Sequence, residues 1–182
     1  RSLQQGDLYI ALAGENFDGH DYLDQAEKAG AAAAIVHKDV YTNLPRIKVE
    51  DTRKALGSLA AAWRQSFNGS VVAITGSNGK TTVKEMTAAI LSEQGDVLAT
   101  RGNFNNDIGL SLTLLRMDKE EFAVIEMGAN HHGEIAYLTG VTKPDVAVIT
   151  NAGPAHLEGF GSIQGVAEAK GEIYQGLDKQ GI

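Results

Sequence analysis

The sequence has 182 residues, of which 43% are hydrophobic and 21% are charged, and its formal net charge is −7. These values are typical of a globular protein of one or two domains and exclude a disordered chain. The acidic balance argues against nucleic acid or an anionic membrane surface as the main partner, because both require clustered Lys and Arg. Without cysteine there is no disulfide framework, and no apolar run approaches the roughly 20 residues that span a bilayer. We therefore expect a cytoplasmic protein that is not inserted in a membrane.

The first part of the chain alternates short strands and helices. Strands are predicted at DLYIAL, AAAAIVH and RIKVE, and helices at residues 22–29 and 52–67. Four large apolar residues fall on one side of the second helix: Leu56, Leu59, Trp63 and Phe67. These elements predict a small α/β N-terminal domain.

The pattern changes at the turn NGS, residues 68–70, and we place a domain boundary there, between domains 1–68 and 69–182. Beyond it, SVVAITG, DVLAT, FAVIEMG and DVAVITN are apolar runs of the kind found in buried parallel strands. Helices are predicted at KTTVKEMTAAILSEQG and from GLSLTLLRM onward. This alternation predicts a mostly parallel, doubly wound α/β domain.

The stretch ITGSNGKTT predicts a strand, a glycine-containing turn and the start of a helix. In such a turn the backbone amides and the helix dipole favour a phosphate, a lysine can reach the outer phosphates, and a threonine can hold magnesium. The loop is GxxGKT, since Ile74 stands where the general P-loop has glycine. A solvated lysine at the helix start is the structural alternative, but lysine suits that position only beside an anion. The candidate nucleotide-binding residues are Gly76, Ser77, Asn78, Gly79, Lys80, Thr81 and Thr82.

Further polar residues follow the predicted strands. Glu126 lies near the end of FAVIEMG, Asn151 ends DVAVITN, and His156 lies just beyond it. Because ligands bind beyond the carboxyl ends of parallel strands, Thr81, Glu126 and His156 are expected at one edge of the sheet. Glu126 is a candidate magnesium ligand, with a structural hydrogen bond to a loop as the alternative. His156 is a candidate site residue or a structural histidine.

Two more features remain open on residue patterns alone. The loop RGNFNNDIGLSL contains Asn103, Asn105 and Asn106, which are either ligand contacts or turn formers. Lys170 lies in the middle of an apolar helical stripe, where its stem either packs while the ammonium reaches water or serves a buried function. The apolar positions of that stripe are Val166, Ala167, Ile173, Tyr174 and Leu177.

Five motifs, in this order and at these spacings, resemble the Mur ligase family of peptidoglycan synthesis: TGSNGKTT, GNFNNDIG, EMGANHHGEI, NAGPAHLEGFGS and AKGEIY. The motifs GANHHGEI and AHLEGFGS most resemble those of family members that join D-alanyl-D-alanine to UDP-N-acetylmuramoyl-tripeptide. The opening GDLYIALAGENFDGHDYLDQAEKAGAAAAIV resembles the first domain of those members, which holds the uridine nucleotide. The resemblance covers essentially the whole chain.

The resemblance implies an ATP-dependent amide ligase. The γ-phosphate of ATP is transferred to the peptide's terminal carboxylate, and the amine of D-alanyl-D-alanine attacks the acyl phosphate, releasing phosphate after ADP. By position, Lys80 would contact the β- and γ-phosphates, and Thr81 with Glu126 would hold one magnesium ion. His156 would help to hold a second. Either Asn105 or Asn106 would correspond to the family's asparagine near the reacting groups.

The resemblance also assigns a role to Lys170, which matches the lysine that is carbamylated in these ligases. Carbon dioxide adds to a neutral amine, and burial favours the neutral form. The resulting anion could bind magnesium or orient the phosphates.

Full-length family members continue beyond the position of DKQGI into the rest of the central domain and a third domain. They also have residues before the position of RSLQQGDLYIAL. We therefore expect a truncated, monomeric chain that does not turn over by itself. Two alternatives stand beside the ligase. A P-loop hydrolase or kinase would use Lys80, Thr81 and Glu126 without Lys170, and a non-catalytic nucleotide-sugar module would depend on residues 1–68.

Overall fold

The computed structural model describes residues 3–177 and 181–182. Contacts between Cα atoms divide the chain into two compact units, Arg1–Ser58 and Leu59–Ile182. This division falls inside a helix, ten residues before the domain boundary that we predict after Asn68. The boundary after Asn68 stays a prediction.

The first unit contains a parallel three-stranded sheet in the order β1-β4-β5 and a small antiparallel pair, β2 with β3. Its elements are β1 (Leu8–Ile10), β2 (Ala13–Gly14), β3 (Phe17–Asp18), a 3-10 helix (Gly19–Tyr22), α1 (Leu23–Lys28), β4 (Ala33–Val36) and β5 (Arg46–Lys48). A small apolar core forms between α1 and the sheet, around Ala11, Leu23, Ala26 and Val36. The predicted small α/β unit is therefore confirmed.

Helix α2 (Thr52–Arg64) is shorter than predicted. It ends at Arg64, whose guanidinium donates to the carbonyl of Phe67 at 3.1 Å and so holds the chain in a turn. Phe67 lies beyond the helix but is buried, whereas Leu59 and Trp63 are 37% and 47% exposed. Of the four apolar residues that the helical spacing places on one side, Leu56 and Phe67 are therefore buried and Leu59 and Trp63 are not.

The second unit contains a four-stranded sheet made of β6 (Ser70–Thr75), β7 (Val97–Ala99), β8 (Phe122–Glu126) and β9 (Val146–Ile149). The strand order is β7-β8-β6-β9, and all three neighbouring pairs are parallel. Ile74 pairs with Glu126, and Thr75 pairs with Ile149. The carboxyl ends of β6, β8 and β9 therefore lie at one edge, and the predicted parallel α/β architecture is confirmed.

Five helices accompany this sheet: α3 (Lys80–Leu91), α4 (Asp107–Leu114), α5 (Glu134–Thr142), α6 (Leu157–Phe160) and α7 (Ile163–Gly171). Helix α3 ends before the predicted Gly95, and the helix predicted up to Leu177 changes at Glu172 into a 3-10 helix (Glu172–Gly176). The sequence analysis did not predict α5, whose sequence EIAYLTGVT has no strong amphipathic period. In the part of the chain that the structure describes, no helix is long and apolar enough to cross a membrane.

Candidate nucleotide site

The loop between β6 and α3 depends on two glycines with positive φ. Gly76 has φ +148°, and a Cβ atom there would collide with the side chain of Thr150. Gly79 has φ +78° and precedes the first residue of α3. L-residues with side chains rarely adopt such angles. The glycines therefore allow the chain to turn sharply from the buried strand into the helix N-terminus, where an anion is favoured.

The segment after β9 holds this loop in place. Asn151 accepts hydrogen bonds from the backbone amides of Ser77 and Asn78, each at 3.1 Å. The Thr150 hydroxyl donates to the carbonyl of Asn78 at 2.6 Å, and the Ser77 hydroxyl lies 3.0 Å from the backbone of Gly153. The sequence analysis treated Asn151 only as a strand end and missed Thr150 and Gly153. Their signal was the polar TNAG stretch that follows a strand parallel to β6.

Lys80 bends back over the loop. Its Nζ atom donates to the carbonyl of Gly76 at 2.7 Å and lies 3.4 Å from the carbonyl of Ser77. Both acceptors are neutral, and an ammonium binds an anionic oxygen more strongly than a neutral one. A phosphate placed in the loop would therefore compete well for this lysine.

Glu126 lies at the carboxyl end of β8, and its side chain joins two other parts of the site. The residue is 2% exposed. The Thr81 hydroxyl donates to Oε2 at 2.9 Å, and the Asn105 amide donates to Oε1 at 2.8 Å. The structure thus brings together three of the residues that the sequence analysis singled out.

Asn105 and Asn106, which the sequence could not distinguish, have different environments. Asn105 contacts Glu126, as described above. Asn106 caps α4, because its side-chain oxygen accepts a hydrogen bond from the amide of Gly109 at 2.8 Å. Asparagine is a preferred residue at this position. Of the two, Asn105 is the one that contacts the carboxylate.

The oxygens of Thr81 and Glu126 suit a magnesium ion that also contacts a nucleotide. Magnesium in such sites takes one or two protein oxygens and completes its shell with water and phosphate. Among residues 3–177 and 181–182, no group of three or more His, Asp or Glu side chains could hold a metal ion. The site therefore fits a nucleotide-bound ion and not an all-protein cage.

Lys170, on α7, is 2% exposed, so the prediction that it faces inward is confirmed. Its Nζ atom lies 5.4 Å from the centroid of the Phe160 ring. Burial, together with the positive charge of Lys80, lowers the pKa of Lys170 to about 8, although Glu134 and Glu172 oppose the shift. The positive charge of Lys80, in the glycine loop, therefore acts on the Lys170 side chain.

The two carboxylates that act on Lys170 are held at the N-terminus of α5. Glu172 accepts hydrogen bonds from the amides of Gly133 and Ala136, at 2.8 and 3.0 Å. Glu134 accepts one from the amide of Asn130 at 2.7 Å. These amides satisfy part of the negative charge. Neither acid was predicted from the sequence as a site residue. Glu134 lies on α5, which itself was not predicted, and Glu172 binds partners that are distant along the chain.

His156 lies just before α6 in a left-handed conformation, with φ 53° and ψ 38°. It is exposed, and its ring centroid is 6.5 Å from that of Phe160, the same ring that Lys170 faces. The structure therefore places His156 and Lys170 around one aromatic side chain. Magnesium prefers oxygen ligands, and a histidine offers nitrogen. The role of His156 at a second magnesium ion stays a prediction.

Two family models match the chain. Residues 74–182 match the Mur ligase middle domain, and residues 1–64 match a model described as "Mur ligase family, catalytic domain".

The relatives are similar over the whole chain. UDP-N-acetylmuramoyl-tripeptide--D-alanyl-D-alanine ligase of Escherichia coli strain K12 is 56% identical over 183 residues, which cover 100% of this chain and 40% of the relative. The Bacillus subtilis strain 168 ligase of the same name is 48% identical, with 100% and 41% covered.

Solved structures agree with these matches. MurF from Acinetobacter baumannii superposes with a TM-score of 0.94 at 46% identity, covering 98% of this chain and 40% of that one. MurF ligase from Thermotoga maritima in complex with ADP gives 0.92 at 39% identity, with 97% and 42% covered. The chain thus spans about 40% of the length of these relatives. With both family models matched along its length, the chain belongs to the Mur ligase family.

Proposed function

We propose that the chain supplies the nucleotide-binding part of an ATP-dependent ligase that joins D-alanyl-D-alanine to UDP-N-acetylmuramoyl-tripeptide. The observation that carries this proposal is the hydrogen-bonded set Thr81–Glu126–Asn105 at the mouth of the glycine loop. The names of the relatives support the choice of substrates. Matches in both units favour the ligase over a P-loop hydrolase, a kinase or a nucleotide-sugar module.

In this proposal, the loop residues 76–82 bind the phosphates of ATP. The backbone amides and the N-terminus of α3 face the phosphate charge, and Lys80 exchanges the Gly76 carbonyl for phosphate oxygens. Thr81 and Glu126 hold the magnesium ion, which, when bound, neutralises charge on the phosphates. Thr82 belongs to the same first turn of α3 and completes the binding loop.

The reaction proceeds in two balanced steps. A carboxylate oxygen of the tripeptide attacks the γ-phosphorus, the bond to the β-phosphate oxygen breaks, and ADP leaves. The amine of D-alanyl-D-alanine then attacks the acyl phosphate, the amide forms, and phosphate and a proton are released. Such a reaction depends mainly on positioning and on charge neutralisation. Asn105 holds one oxygen of Glu126. In this proposal His156 acts beside the same reacting groups.

We further propose that Lys170 is carbamylated. Burial keeps its pKa near 8, so a useful fraction of the side chain is neutral amine near neutral pH and can add carbon dioxide with loss of a proton. The new anion would be balanced by Lys80, and it could bind a metal ion or orient the phosphates. Crystals grown with bicarbonate test this: density beyond Nζ is expected, and density that ends at a bare amine between ordered neighbours would contradict it.

Residues 1–68 form, in this proposal, the domain that holds the uridine nucleotide of the substrate. In this proposal the protein acts in the cytoplasm as a monomer, with no nucleic acid partner.

The substrate dependence of ADP release tests the proposed function. A full-length protein that contains these residues is assayed with ATP and magnesium, with each of the two peptide substrates omitted in turn. A ligase releases ADP steadily only when both substrates are present. Steady ADP release without either substrate would instead identify a hydrolase. Steady ADP release with the tripeptide nucleotide alone, together with a stable phosphorylated form of that nucleotide, would identify a kinase.

A further inference from the structure

Lys84 is a second buried lysine, and the function proposed above does not use it. It lies on α3, one turn after Thr81, and is 1% exposed. Its Nζ atom donates to the carbonyl of Thr100 at 2.7 Å and forms an ion pair with Glu85 at 2.6 Å. Burying a charge is costly unless partners compensate. A lysine in this position therefore needs a reason beyond packing.

The Thr100 carbonyl that Lys84 binds is the next acceptor of the parallel ladder between β7 and β8. Ala99 pairs with Val124, and the amide of Thr100 donates to the carbonyl of Val124 at 3.0 Å. If the ladder continued, the amide of Glu126 would donate to the carbonyl of Thr100. It donates instead to the Thr100 hydroxyl, at 3.0 Å. Lys84 thus takes the carbonyl out of the ladder, and the hydroxyl replaces it.

These contacts close a ring around Glu126. Thr81 and Lys84 are three residues apart and share one face of α3. Thr81 bonds the Glu126 carboxylate directly, and Lys84 reaches the Glu126 amide through Thr100. Both ends of Glu126 are therefore held from the same helix. Since the P-loop forms the start of that helix, the ring sets the position of the carboxylate relative to the loop.

We propose that Lys84 is a positioning residue for the magnesium site: by binding the Thr100 carbonyl it ends the β7–β8 ladder at Glu126 and directs that carboxylate toward Thr81. This inference rests on the proposed role of Thr81 and Glu126 as magnesium ligands. Partners of metal ligands often change metal affinity by 10- to 100-fold when they are removed.

The test uses calorimetry to measure ADP binding to a full-length protein that contains these residues. Binding is measured over a series of magnesium concentrations and, for metal-free ADP, in the presence of a chelator. Lys84→Met removes the ammonium and keeps the length of the side chain, and Thr100→Val removes the hydroxyl and keeps its shape. We expect each to raise the half-saturating magnesium concentration about tenfold, with the affinity for metal-free ADP within twofold of the wild type. Because both act through one chain of contacts, the double variant should shift no further than the larger single variant.

Two controls separate positioning from loss of stability. Val71→Ala removes a buried side chain at the other end of β6, so it lowers the melting temperature and should leave the magnesium dependence unchanged. Glu85→Gln removes the exposed partner of Lys84 and should also leave it unchanged. A Lys84→Met shift no larger than that of Val71→Ala, or additive shifts in the double variant, would overturn the proposal. If Lys84→Met does not fold, Thr100→Val and Thr100→Ser are compared instead. Thr100→Val should raise the half-saturating magnesium concentration, and Thr100→Ser, which keeps the hydroxyl, should leave it near the wild-type value. Equal behaviour of the two variants would overturn the proposal.

A crystal structure of Lys84→Met distinguishes failure of this inference from failure of the proposed function. If the wild type binds ADP without any dependence on magnesium, the metal role of Glu126 is wrong, whatever Lys84 does. In the variant crystal we expect the Glu126 amide to donate to the Thr100 carbonyl, continuing the ladder. Unchanged pairing with the Thr100 hydroxyl would show that Lys84 does not position Glu126. If Lys84→Met does not fold, the Thr100→Val crystal answers the same question. Lys84 should still bind the carbonyl of residue 100 and keep the Glu126 amide away from it, and an amide that donates to this carbonyl beside Lys84 would show that Lys84 does not end the ladder.

Discussion

Lys84 and Lys170 are both almost completely buried in the second unit, but their surroundings differ in kind. Lys84 is bound by a backbone carbonyl at 2.7 Å and by a neighbouring carboxylate at 2.6 Å. Lys170 faces an aromatic ring at 5.4 Å, and a second ammonium, that of Lys80, acts on it. Close anionic and carbonyl partners favour the charged form of a lysine, whereas burial and a like charge favour the neutral form.

The difference separates two uses of a buried lysine. A lysine with fixed acceptors connects elements of the fold, here α3 with the end of β7. A lysine whose pKa is lowered by burial and by a second cation is available for covalent chemistry near neutral pH. Sequence position alone does not separate them, since each lies on a helix of the second unit.

Replacing Lys80, the residue that links Lys170 to the phosphate loop, should have the largest effect. Lys80→Ala removes the charge that faces the phosphates, and we expect ADP formation in a full-length protein to fall at least about 100-fold, as for other lost transition-state contacts. Calorimetry with the uridine nucleotide should show unchanged binding, because the proposed uridine site lies in the first unit. Lys119→Ala, at an exposed lysine, is the matched control. Normal ADP formation by Lys80→Ala would contradict the proposal that the glycine loop and Lys80 bind the phosphates of ATP.

Lys170→Met should raise the stability of the chain at neutral pH, measured without bicarbonate. The pKa of Lys170 is about 8 in the folded protein against a usual 10.5, so the unfolded chain binds more protons between these values. The free energy of unfolding of the wild type is therefore reduced below pH 8 and recovers as the pH rises to about 10.5. The cost at pH 7 is about 3 kcal/mol, and Lys170→Met should recover most of it.

Urea unfolding followed by the fluorescence of Trp63, the single tryptophan of the chain, measures this difference. The advantage of Lys170→Met should shrink steadily between pH 8 and pH 10. The exposed Lys119→Met variant should show no such trend. An advantage that does not depend on pH would mean that the pKa of Lys170 is not lowered.

Lys84→Met should have the opposite sign at pH 7. Without the ammonium, the Glu126 amide is left as the donor for both buried oxygens of Thr100. One of these oxygens therefore loses its hydrogen bond, which costs about 1–3 kcal/mol. The same urea titration should show a lower free energy of unfolding than the wild type. If Lys84→Met and Lys170→Met both stabilised the chain, the contrast between the two lysines would be wrong.

Glu85→Gln should have the smallest effect. The Glu85 side chain is 66% exposed, and exposed ion pairs contribute at most about 1 kcal/mol. We expect a decrease in the free energy of unfolding below that value, and 0.5 M salt should nearly abolish it. A decrease as large as that of Lys84→Met would assign the burial of Lys84 to the ion pair and not to Thr100.

The sequence predicted the parts of the second unit that depend on local patterns. Apolar runs at β6, β8 and β9 identified buried parallel strands, and the rule that ligands bind at their carboxyl ends brought Thr81 and Glu126 to one edge, where they are 2.9 Å apart. The helical stripe predicted that Lys170 faces inward, and the residue is buried. Each of these inferences needs only a few neighbouring residues and a regular period.

The parts that the sequence did not predict depend on contacts between distant segments. Lys84 follows the P-loop in VKEM, a pattern typical of an exposed helix face, and its burial comes from packing against the end of β7. Asn105 and Asn106 are adjacent, and only the cap of α4 determines which of them faces Glu126. Glu172 was missed because its partners lie 36 and 39 residues earlier in the chain.

The central claim is that Glu126, held by Thr81 and Asn105, is the magnesium ligand of an ATP site. Calorimetry of ADP binding with magnesium and with chelator, on the wild type and on Glu126→Gln in a full-length protein, tests it most directly. Glutamine keeps the size of the side chain and removes its charge. The account predicts that magnesium tightens ADP binding in the wild type, and that Glu126→Gln loses this increment while binding metal-free ADP as before. An equal magnesium effect in both proteins would contradict it.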